Sequence, residues 1–435
     1  MSKQIPEIPS GSLLGHLRSY VNDPLAFLQK HQEEYGDIFS FRVANRRLIF
    51  INHPDYIKRV LQENHRNYIK SEAYRKLALL LGNGLFTSDG EYWRSQRRTI
   101  QPAFHRDQIK TYAEVMHNFS MELVNQWKKE NEVELAKEMT NVTLRIISKT
   151  MLDIELDKEG QTVEEHLPFV LKYLVNRITS PVAAPLWIPT KDNQKFKATI
   201  KVLDELIHEI IQYKKKNLSI DLLSQLIMLK DEETGKGMND RQLRDEVMTI
   251  FLAGHETTAM GMTWMLNYLL RDEEVMSKMV LEVEKVKNPW DAVQNYYIQN
   301  VINEALRLFA PVWILSREAV GSDKLGTYNI ERGDRIIFSP YMVHHHPDFW
   351  DFPEEFSPER FDKEIPHRYA YFPFGGGPRV CIGQHFALME MTILLVNILK
   401  SFPGMKLKSQ EDVGYDYSIT LRPAKEIKVI LCQNS

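Results

Sequence analysis

The sequence contains only two cysteines, Cys381 and Cys432, among 435 residues. Two thiols in so long a chain do not make the disulfide framework of a small secreted protein. An excess of positive charge is also missing, because 55 Lys and Arg residues stand against 58 Asp and Glu residues, a formal net charge of −3. The total charge therefore gives no reason to expect nucleic-acid binding or general attachment to anionic membranes.

Long apolar runs and flexible linkers are missing as well. The N-terminus, Met1-Ser-Lys-Gln-Ile-Pro-Glu-Ile-Pro, has neither the apolar core of a signal peptide nor the run of about 20 apolar residues that spans a bilayer. We expect a cytoplasmic protein without a membrane anchor. The sequence shows no Gly/Ser linker, low-complexity tract or internal repeat, and a composition of 43% hydrophobic and 26% charged residues is globular. A single domain over residues 1–435 is the expected organisation.

The spacing of apolar residues predicts a mainly helical chain with small β-sheets near its two ends. A hairpin is predicted over residues 37–52, with its turn at Ala44-Asn45-Arg46. A loop rich in Pro, Gly and His is expected over 340–380. The predicted helices cover residues near 108–130, 138–153, 197–215, 240–271 and 383–400, and further strands are predicted at Arg335-Ile-Ile-Phe, Tyr417-Ser-Ile-Thr-Leu and Ile427-Lys-Val-Ile-Leu.

The segment Ser180-Pro-Val-Ala-Ala-Pro-Leu-Trp-Ile-Pro interrupts this helical region with three prolines and several large apolar side chains. A mobile cover over a binding site and an ordinary packed loop both fit this composition.

The most informative stretch is Phe372-Pro-Phe-Gly-Gly-Gly-Pro-Arg-Val-Cys-Ile-Gly, which leads into an apolar helix. Three successive glycines are costly unless the backbone bends sharply or approaches something flat. The helix that follows favours an anionic sulfur on Cys381, through its dipole and its free amides. Cys432, in contrast, lies in an apolar terminal run and is expected to be no more than a small apolar residue.

The spacing of Phe374, Gly377, Arg379, Cys381 and Gly383 resembles the haem-binding signature of the cytochrome P450 family. The resemblance implies that Cys381 is the thiolate ligand of the haem iron. Phe374 and Gly383 then belong to the same haem-binding loop, and Arg379 is a candidate partner for a haem propionate.

A second motif, Phe251-Leu-Ala-Gly-His-Glu-Thr-Thr-Ala-Met-Gly-Met, lies in the longest predicted helix and matches the oxygen-activating motif of the same family. We expect the Thr257 hydroxyl to bond to the carbonyl of Ala253, four residues back, and to loosen the helix together with Gly254. Glu256 and Thr257 are then expected to carry protons to the reacting oxygen. Close helix packing is the alternative explanation for Gly254 and Thr257.

Two metal-like patterns are set aside. His255-Glu256 begins the zinc-protease pattern His-Glu-x-x-His, but Ala259 occupies the position of the second histidine. His344-His-His is interpreted as part of a loop, because consecutive side chains point in different directions and do not easily converge on one ion.

Two further motifs agree with the family. In Glu304-Ala-Leu-Arg307 an acid and a base share one helix face, and the resemblance joins both to Arg360 in a buried structural network. Trp93 and Arg97 also share a helix face, four residues apart, and are expected to reach the haem propionates, with Arg317 as a further candidate. Taken alone, Trp93 and Arg97 also suit an exposed surface helix.

The four motifs follow the family's order and imply the cytochrome P450 fold, with haem b between the Thr257 helix and the Cys381 loop. The implied activity is a haem-thiolate monooxygenase that inserts one oxygen atom from O2 into a hydrophobic fatty acid, terpenoid or steroid. The connection over residues 285–300 is shorter than in many members. Candidates for the substrate pocket, for which a core role fits as well, are Phe86, Phe251, Ala253, Val312, Trp313 and Ile314.

Electrons are expected from a separate ferredoxin or flavodoxin and its reductase, because no reductase sequence follows the motifs. Arg94 and Arg98 are candidates for docking such an acidic partner. Two alternative functions are considered. One is a peroxide-driven peroxygenase or isomerase, which has less need for a proton relay, and the other is a haem-binding sensor or carrier, in which Glu256 and Thr257 have no task.

Overall fold

The computed structural model describes residues 3–10, 12–154, 158–180 and 183–432, and within residues 158–165 it describes the backbone alone. The helices are α1 Leu17–Asn22, α2 Pro24–Tyr35, α3 Pro54–Lys58, α4 Glu72–Leu81, α5 Gly90–Ile100, α6 Arg106–Lys110, α7 Ala113–Trp127, α8 Leu135–Leu152, α9 Lys158–Thr179, α10 Lys191–Lys216, α11 Leu222–Met228, α12 Asp240–Leu269, α13 Glu273–Lys285, α14 Tyr296–Leu308, α15 Pro340–His344 and α16 Gln384–Ser401.

The strands are short and form four small sheets. They are β1 Ile38–Val43, β2 Arg46–Ile51, β3 Tyr68–Lys70, β4 Glu132–Glu134, β5 Leu315–Ala319, β6 Asp323–Leu325, β7 Tyr328–Ile330, β8 Arg335–Phe338, β9 Lys406–Leu407, β10 Tyr415–Tyr417, β11 Leu421–Pro423 and β12 Lys428–Ile430. The predicted mainly helical fold with small sheets is therefore confirmed.

The largest sheet has the strand order β1-β2-β8-β5-β3 and is antiparallel except for the pair β2 and β8. Its hairpin has the predicted position, but Arg46 pairs with Val43, so the turn consists of Ala44 and Asn45 alone. The far edge of the sheet matters for the site. There β3 pairs with β5, and Lys70 stands directly opposite Arg317.

The core of the molecule is built around α12, whose 30 residues extend about 45 Å. Asn239 and Gln242 form a capping box that fixes its start. Near its middle the helix packs closely on α8, because Gly254 has no side chain. A Cβ at Gly254 would lie 2.8 Å from Cδ1 of Ile147, closer than atoms of a packed core approach. The close-packing explanation of Gly254 is thus supported.

Two predictions of local structure are wrong. The expected strand Tyr417-Ser-Ile-Thr-Leu is a hairpin, because Tyr417 in β10 pairs with Leu421 in β11 and the residues between them turn. That turn is held from outside, since the Ser418 carbonyl accepts a hydrogen bond from Trp313 Nε1 at 3.1 Å. His344 is not in a loop either. It is the buried last residue of α15, a helix started by the Ser339 cap and Pro340.

Of the proline-rich segment, residues 183–189 are irregular and lead into α10, and Trp187 among them is exposed. Pro181 and Val182 lie outside the described residues, so the choice between a mobile cover and a packed loop stays open. In the part of the chain that the structure covers, no helix combines the length and apolar character needed to span a membrane.

The predicted network of Glu304, Arg307 and Arg360 is present and buried. Glu304 accepts hydrogen bonds from Arg307 at 2.7 and 2.9 Å and from Arg360 Nε at 3.2 Å. Arg307 also donates to the carbonyls of His344 and Pro353, both at 2.8 Å. The network therefore ties α14 to the segment that precedes the cysteine loop.

His344 extends this link. Its Nδ1 lies 3.1 Å from the Arg307 carbonyl, while its Nε2 accepts the backbone N–H of Phe372 at 2.9 Å. A neutral ring with its proton on Nδ1 satisfies both contacts. Burial, followed by the charges nearby, holds the pKa of His344 well below its ordinary value and keeps that form. Phe372, at the start of the glycine-rich loop, is thereby fixed to the core.

Replacing Arg307 by alanine should lower the free energy of unfolding by about 3–5 kcal/mol, because the charge of Glu304 would remain buried without its principal partner. Chemical denaturation of the haem-loaded protein measures the loss. Lys408→Ala is the control, since it removes an exposed ion pair with Glu132 and should lower the free energy of unfolding far less. Equal losses in the two variants would contradict the structural role.

Candidate active site

A cavity of about 310 Å³ lies between α12 and the loop that carries Cys381. Ordinary ligand pockets measure about 300–1,000 Å³, so this cavity is of the size that binds a small molecule. Its walls also include residues of α5, of β3 and β5, and of the turn between β10 and β11.

The cysteine loop depends on its glycines. Gly377 has φ of +65°, and a Cβ there would lie 1.8 Å from the carbonyl oxygen of Leu61. Only glycine fits this position. The Cys381 N–H in turn donates to the Phe374 carbonyl at 2.9 Å, which closes the loop beneath the sulfur.

The sulfur of Cys381 is accessible and forms part of the cavity wall. Burial raises the pKa of its thiol, while the backbone N–H of Gly383 and the charge of Arg97 act in the opposite direction. The Gly383 amide thus favours the thiolate form of Cys381, in the direction expected of a free amide at the start of this helix. Gly383 is also the N-cap of α16, so Cys381 stands at the positive end of that helix.

Cationic side chains gather along one side of the cavity. Lys70 and Arg317 face each other across β3 and β5, and both are buried. Arg379 lies nearby, close enough for its charge to help lower the pKa of Lys70, although burial lowers it more. Like charges directly opposite in a sheet repel each other. Among the described residues, Asp89 is the carboxylate whose charge acts on the pKa of Lys70. One carboxylate does not balance the three cations Lys70, Arg317 and Arg379, so these side chains need a further anion.

Nothing in the sequence pattern around Lys70 indicated a role in the site. Its ammonium group lies 4.0 Å from the ring centre of Tyr74 and 4.9 Å from that of Phe86, and it makes no hydrogen bond to any described residue. The register between β3 and β5, which joins residues about 250 positions apart, is what brings Lys70 beside Arg317.

Trp93 and Arg97 both line the cavity, as their spacing on one helix face predicted. Arg97 donates to the carbonyl of Val380 at 2.9 Å, next to the cysteine. The guanidinium of Arg379 stacks over the Trp93 ring at 4.2 Å and also donates to the carboxylate of Asp89. The two helix residues and the cysteine loop thus form one continuous cationic wall.

On the opposite wall, α12 presents Ala253 and Thr257 to the cavity. The predicted hydrogen bond is confirmed, because Thr257 Oγ1 donates to the Ala253 carbonyl at 2.6 Å. The Ala253 carbonyl therefore accepts this side-chain hydrogen bond in addition to the backbone hydrogen bond of the helix. A second bond of this kind loosens a helix locally.

Glu256 also borders the cavity, but its carboxylate is hydrogen-bonded by two residues that the sequence did not reveal. Its Oε1 accepts hydrogen bonds from Thr420 Oγ1 at 2.6 Å and from Arg422 at 2.8 and 2.5 Å. Burial tends to raise the pKa of Glu256, yet Arg422 and Thr420 together outweigh it, and the pKa is lowered. Glu256 is thus held as a carboxylate.

The proposed substrate pocket needs correction. Phe86, Ala253 and Val312 line the cavity, while Phe251, Trp313 and Ile314 are not part of its lining. Phe251 is buried against the ring of its neighbour His255, on the side of α12 that faces the core. Trp313 is buried, and its Nε1 donates to the Ser418 carbonyl in the turn between β10 and β11. Apolar wall residues that the sequence did not suggest include Leu85, Leu252, Leu315 and Ile419.

Arg94 and Arg98, the candidates for docking a redox partner, differ in their surroundings. Arg94 is exposed and has only a 3.7 Å contact with Glu91. Arg98 is paired with Asp231 at 2.6 Å and with Glu233 at 2.7 Å, so its charge is already neutralised. Of the two candidates, Arg94 is therefore the one whose charge is not neutralised by a close carboxylate.

The segment 82–86 forms a further wall and is attached to α12 by two neighbouring carboxyl groups. Asp245 accepts the N–H of Asn83 at 2.8 Å, and Glu246 accepts the N–H of Leu85 at 3.0 Å. Burial raises the pKa of Glu246 to about 8, and the charge of Asp245 adds to that effect. Glu246 is therefore a neutral acid at moderate pH.

This raised pKa predicts a pH-dependent stability. Between pH 4.5, the ordinary pKa of the group, and pH 8, the unfolded chain releases the Glu246 proton and the folded protein keeps it. The free energy of unfolding must then fall as the pH rises, by at most about 1.4 kcal/mol per pH unit from this group. In Glu246→Gln this contribution should vanish, and denaturation series at several pH values measure it. A slope identical to that of the unmodified protein would contradict the assignment.

Comparison with known proteins agrees with this geometry. The cytochrome P450 family model matches residues 6–431. Cyclooctatin synthase of Streptomyces melanosporofaciens is 32% identical over 434 residues, covering 95% of this chain and 93% of the relative. Cyclooctat-9-en-7-ol 5-monooxygenase of the same organism is 30% identical, covering 91% and 89%. Pentalenene oxygenase of Streptomyces avermitilis is 29% identical, covering 90% and 89%. The chain belongs to the cytochrome P450 family and is a cytochrome P450 monooxygenase, an enzyme class that uses haem.

The residues of the cavity fit haem. The iron of haem takes a soft anionic ligand, and the sulfur of Cys381 in the cavity wall can supply it. The two carboxylates of haem are anions that suit these cations, and the ammonium group of buried Lys70 makes no hydrogen bond to any described residue.

Proposed function

We propose that the enzyme inserts one oxygen atom from O2 into a C–H bond of a terpenoid. The apolar cavity walls support a hydrophobic substrate. Among fatty acids, terpenoids and steroids, the names of two relatives favour terpenoids, since these relatives are an oxygenase of pentalenene and a monooxygenase of cyclooctat-9-en-7-ol. The observation that carries the proposal is the placement of Cys381 and Thr257 on opposite walls of one cavity.

In this proposal the cofactor is haem b, and the chain holds it in two ways. Cys381 donates its sulfur to the iron, within the loop that Phe374 and Gly383 shape. The carboxylates are bound by the buried cationic wall, whose members are Lys70, Trp93, Arg97, Arg317 and Arg379. The haem supplies the binding and activation of O2, which the thiolate favours.

Glu256 and Thr257 form the proposed proton path. Thr257 presents its hydroxyl to the cavity, and the carboxyl group of Glu256 stands beside it on the same helix. O2 cleavage consumes protons, so a carboxyl group and a hydroxyl next to the reacting atoms have a defined task. In the alternative function of a haem sensor, Glu256 and Thr257 would have no task.

Electrons come from a separate protein in this proposal, either a ferredoxin or a flavodoxin with its reductase. Exposed Arg94 on α5 is the cation available to meet an acidic partner near the cysteine side. We further propose that residues 1–435 act as one domain, because elements from both ends of the chain contribute to the same cavity.

Replacing Cys381 by serine should abolish the red-shifted Soret band of the reduced carbon monoxide complex, because an oxygen ligand replaces the thiolate. The absorption spectrum of the reduced, CO-saturated protein measures this directly. Cys432→Ser is the matched control and should keep the band, since Cys432 is not part of the cavity wall. Survival of the band in Cys381→Ser would sink the assignment of the ligand.

Replacing Thr257 by alanine should leave haem binding intact and reduce product formed per reductant consumed by about 10²-fold, the lower range of general acid catalysis. Thr263→Ala removes a similar hydroxyl on the same helix, bonded to the Ala259 carbonyl at 2.8 Å away from the cavity, and should change the ratio little. Product and reductant are quantified together, with peroxide alone as a parallel reaction. Equal turnover of Thr257→Ala and the unmodified enzyme would contradict the proton path and favour the peroxide-driven alternative.

A further inference from the structure

Arg422 occupies a position between two carboxylates. It lies in β11, at the end of the short hairpin whose turn borders the cavity, and its guanidinium holds Glu256 through two hydrogen bonds to Oε1. Oε2 of Glu256 accepts no hydrogen bond from any described residue. Across the hairpin, Arg422 pairs directly with Asp416 in β10, which is exposed.

Direct cross-strand partners place their side chains on the same face, about 5 Å apart at Cβ. Asp416 forms no ion pair with a described residue, so its carboxylate is available to Arg422. A rotation of the Arg422 side chain would therefore exchange an inner carboxylate partner for an outer one without any change in the backbone.

The two members of the present pair differ in their access to water. The Glu256 side chain is 6% exposed, whereas that of Arg422 is 37% exposed. Arg422 can consequently leave toward the solvent while Glu256 stays in place. The opening that Arg422 vacates would connect the carboxylate of Glu256 with bulk water.

The charge state of Glu256 follows from this exchange. The charged or titratable groups that act on it are Arg422, from the hairpin, and His255, on α12 itself. Burial lowers the pKa of His255 and favours its neutral form, so Arg422 is the principal charge. With Arg422 in place the carboxylate carries no proton to deliver. Without Arg422, the main charge that lowers the pKa of Glu256 is removed, and burial, which acts in the opposite direction, then favours the uptake of a proton.

We propose that Arg422 is a positioning residue that gates proton delivery, by moving between Glu256 and Asp416. This inference rests on the proposed proton path through Glu256 and Thr257. In one cycle Arg422 turns to Asp416, and Glu256 takes one proton from water. Glu256 then passes one proton toward the Thr257 hydroxyl, and the carboxylate so restored binds Arg422 again. Protons taken up and delivered are equal, and no electron moves.

The test follows the protonation of Glu256 itself. Infrared spectra of the haem-loaded protein, recorded against pH without reductant, show the carboxylic-acid band that is absent from Glu256→Gln. Arg422→Gln should shift the midpoint of this band to higher pH, because it removes the cation. Asp416→Asn should shift it to lower pH, because it removes the outer partner and leaves Arg422 on Glu256.

Two control variants accompany these changes. Lys425→Gln removes a positive charge close by in the chain that contacts only the Asp412 carbonyl, and its midpoint should equal that of the unmodified protein. Arg422→Lys keeps the charge and should restore most of the shift. Thermal unfolding confirms that every variant is folded.

Opposite shifts in Arg422→Gln and Asp416→Asn support the gate, and unchanged midpoints in both overturn it. Measurement of product formed per reductant separates the gate from the function on which it rests. If Glu256→Gln leaves this ratio unchanged, the proton path fails and the gate fails with it. If Glu256→Gln lowers the ratio while the two midpoints stay unchanged, the gate alone is wrong.

Discussion

Buried positive charge is the constraint on which this structure depends. Strand β3 brings Lys70 opposite Arg317, α5 contributes Arg97, and the cysteine loop contributes Arg379. These elements come from different parts of the chain, and one carboxylate, that of Asp89, stands among them. Their repulsion in a region of low dielectric is relieved by a ligand with negative charge. The charge of the site therefore suits a cofactor with two negative charges, and Cys381 suits its iron atom.

The opposite wall combines packing with chemistry in one helix. Gly254 lets α12 approach α8, and this close approach fixes the helix across the cavity. One turn further, Thr257 directs its hydroxyl back to the Ala253 carbonyl, and Glu256 reaches the hairpin of β10 and β11. The proposed proton path would consequently involve the hairpin of β10 and β11 as well as the helix.

Local signals in the sequence predicted most of the elements, the cysteine loop and the bond between Thr257 and Ala253, because each depends on residues a few positions apart. Contacts between distant segments were not predictable. Lys70 enters the site through a strand register, and Arg422 meets Glu256 across 166 positions. The pocket residues Phe251 and Trp313 were placed wrongly for a related reason, since apolar character does not tell which face of an element is turned to the cavity.

The most direct measurement compares the binding of haemin and of its dimethyl ester to the apoprotein by equilibrium titration. Both molecules present the same ring and iron, but the ester lacks the two negative charges. If these cations hold the carboxylates, the ester should bind far more weakly, because the buried side chains of Lys70 and Arg317 would then have no anionic ligand. Equal affinities for the two molecules would contradict the account.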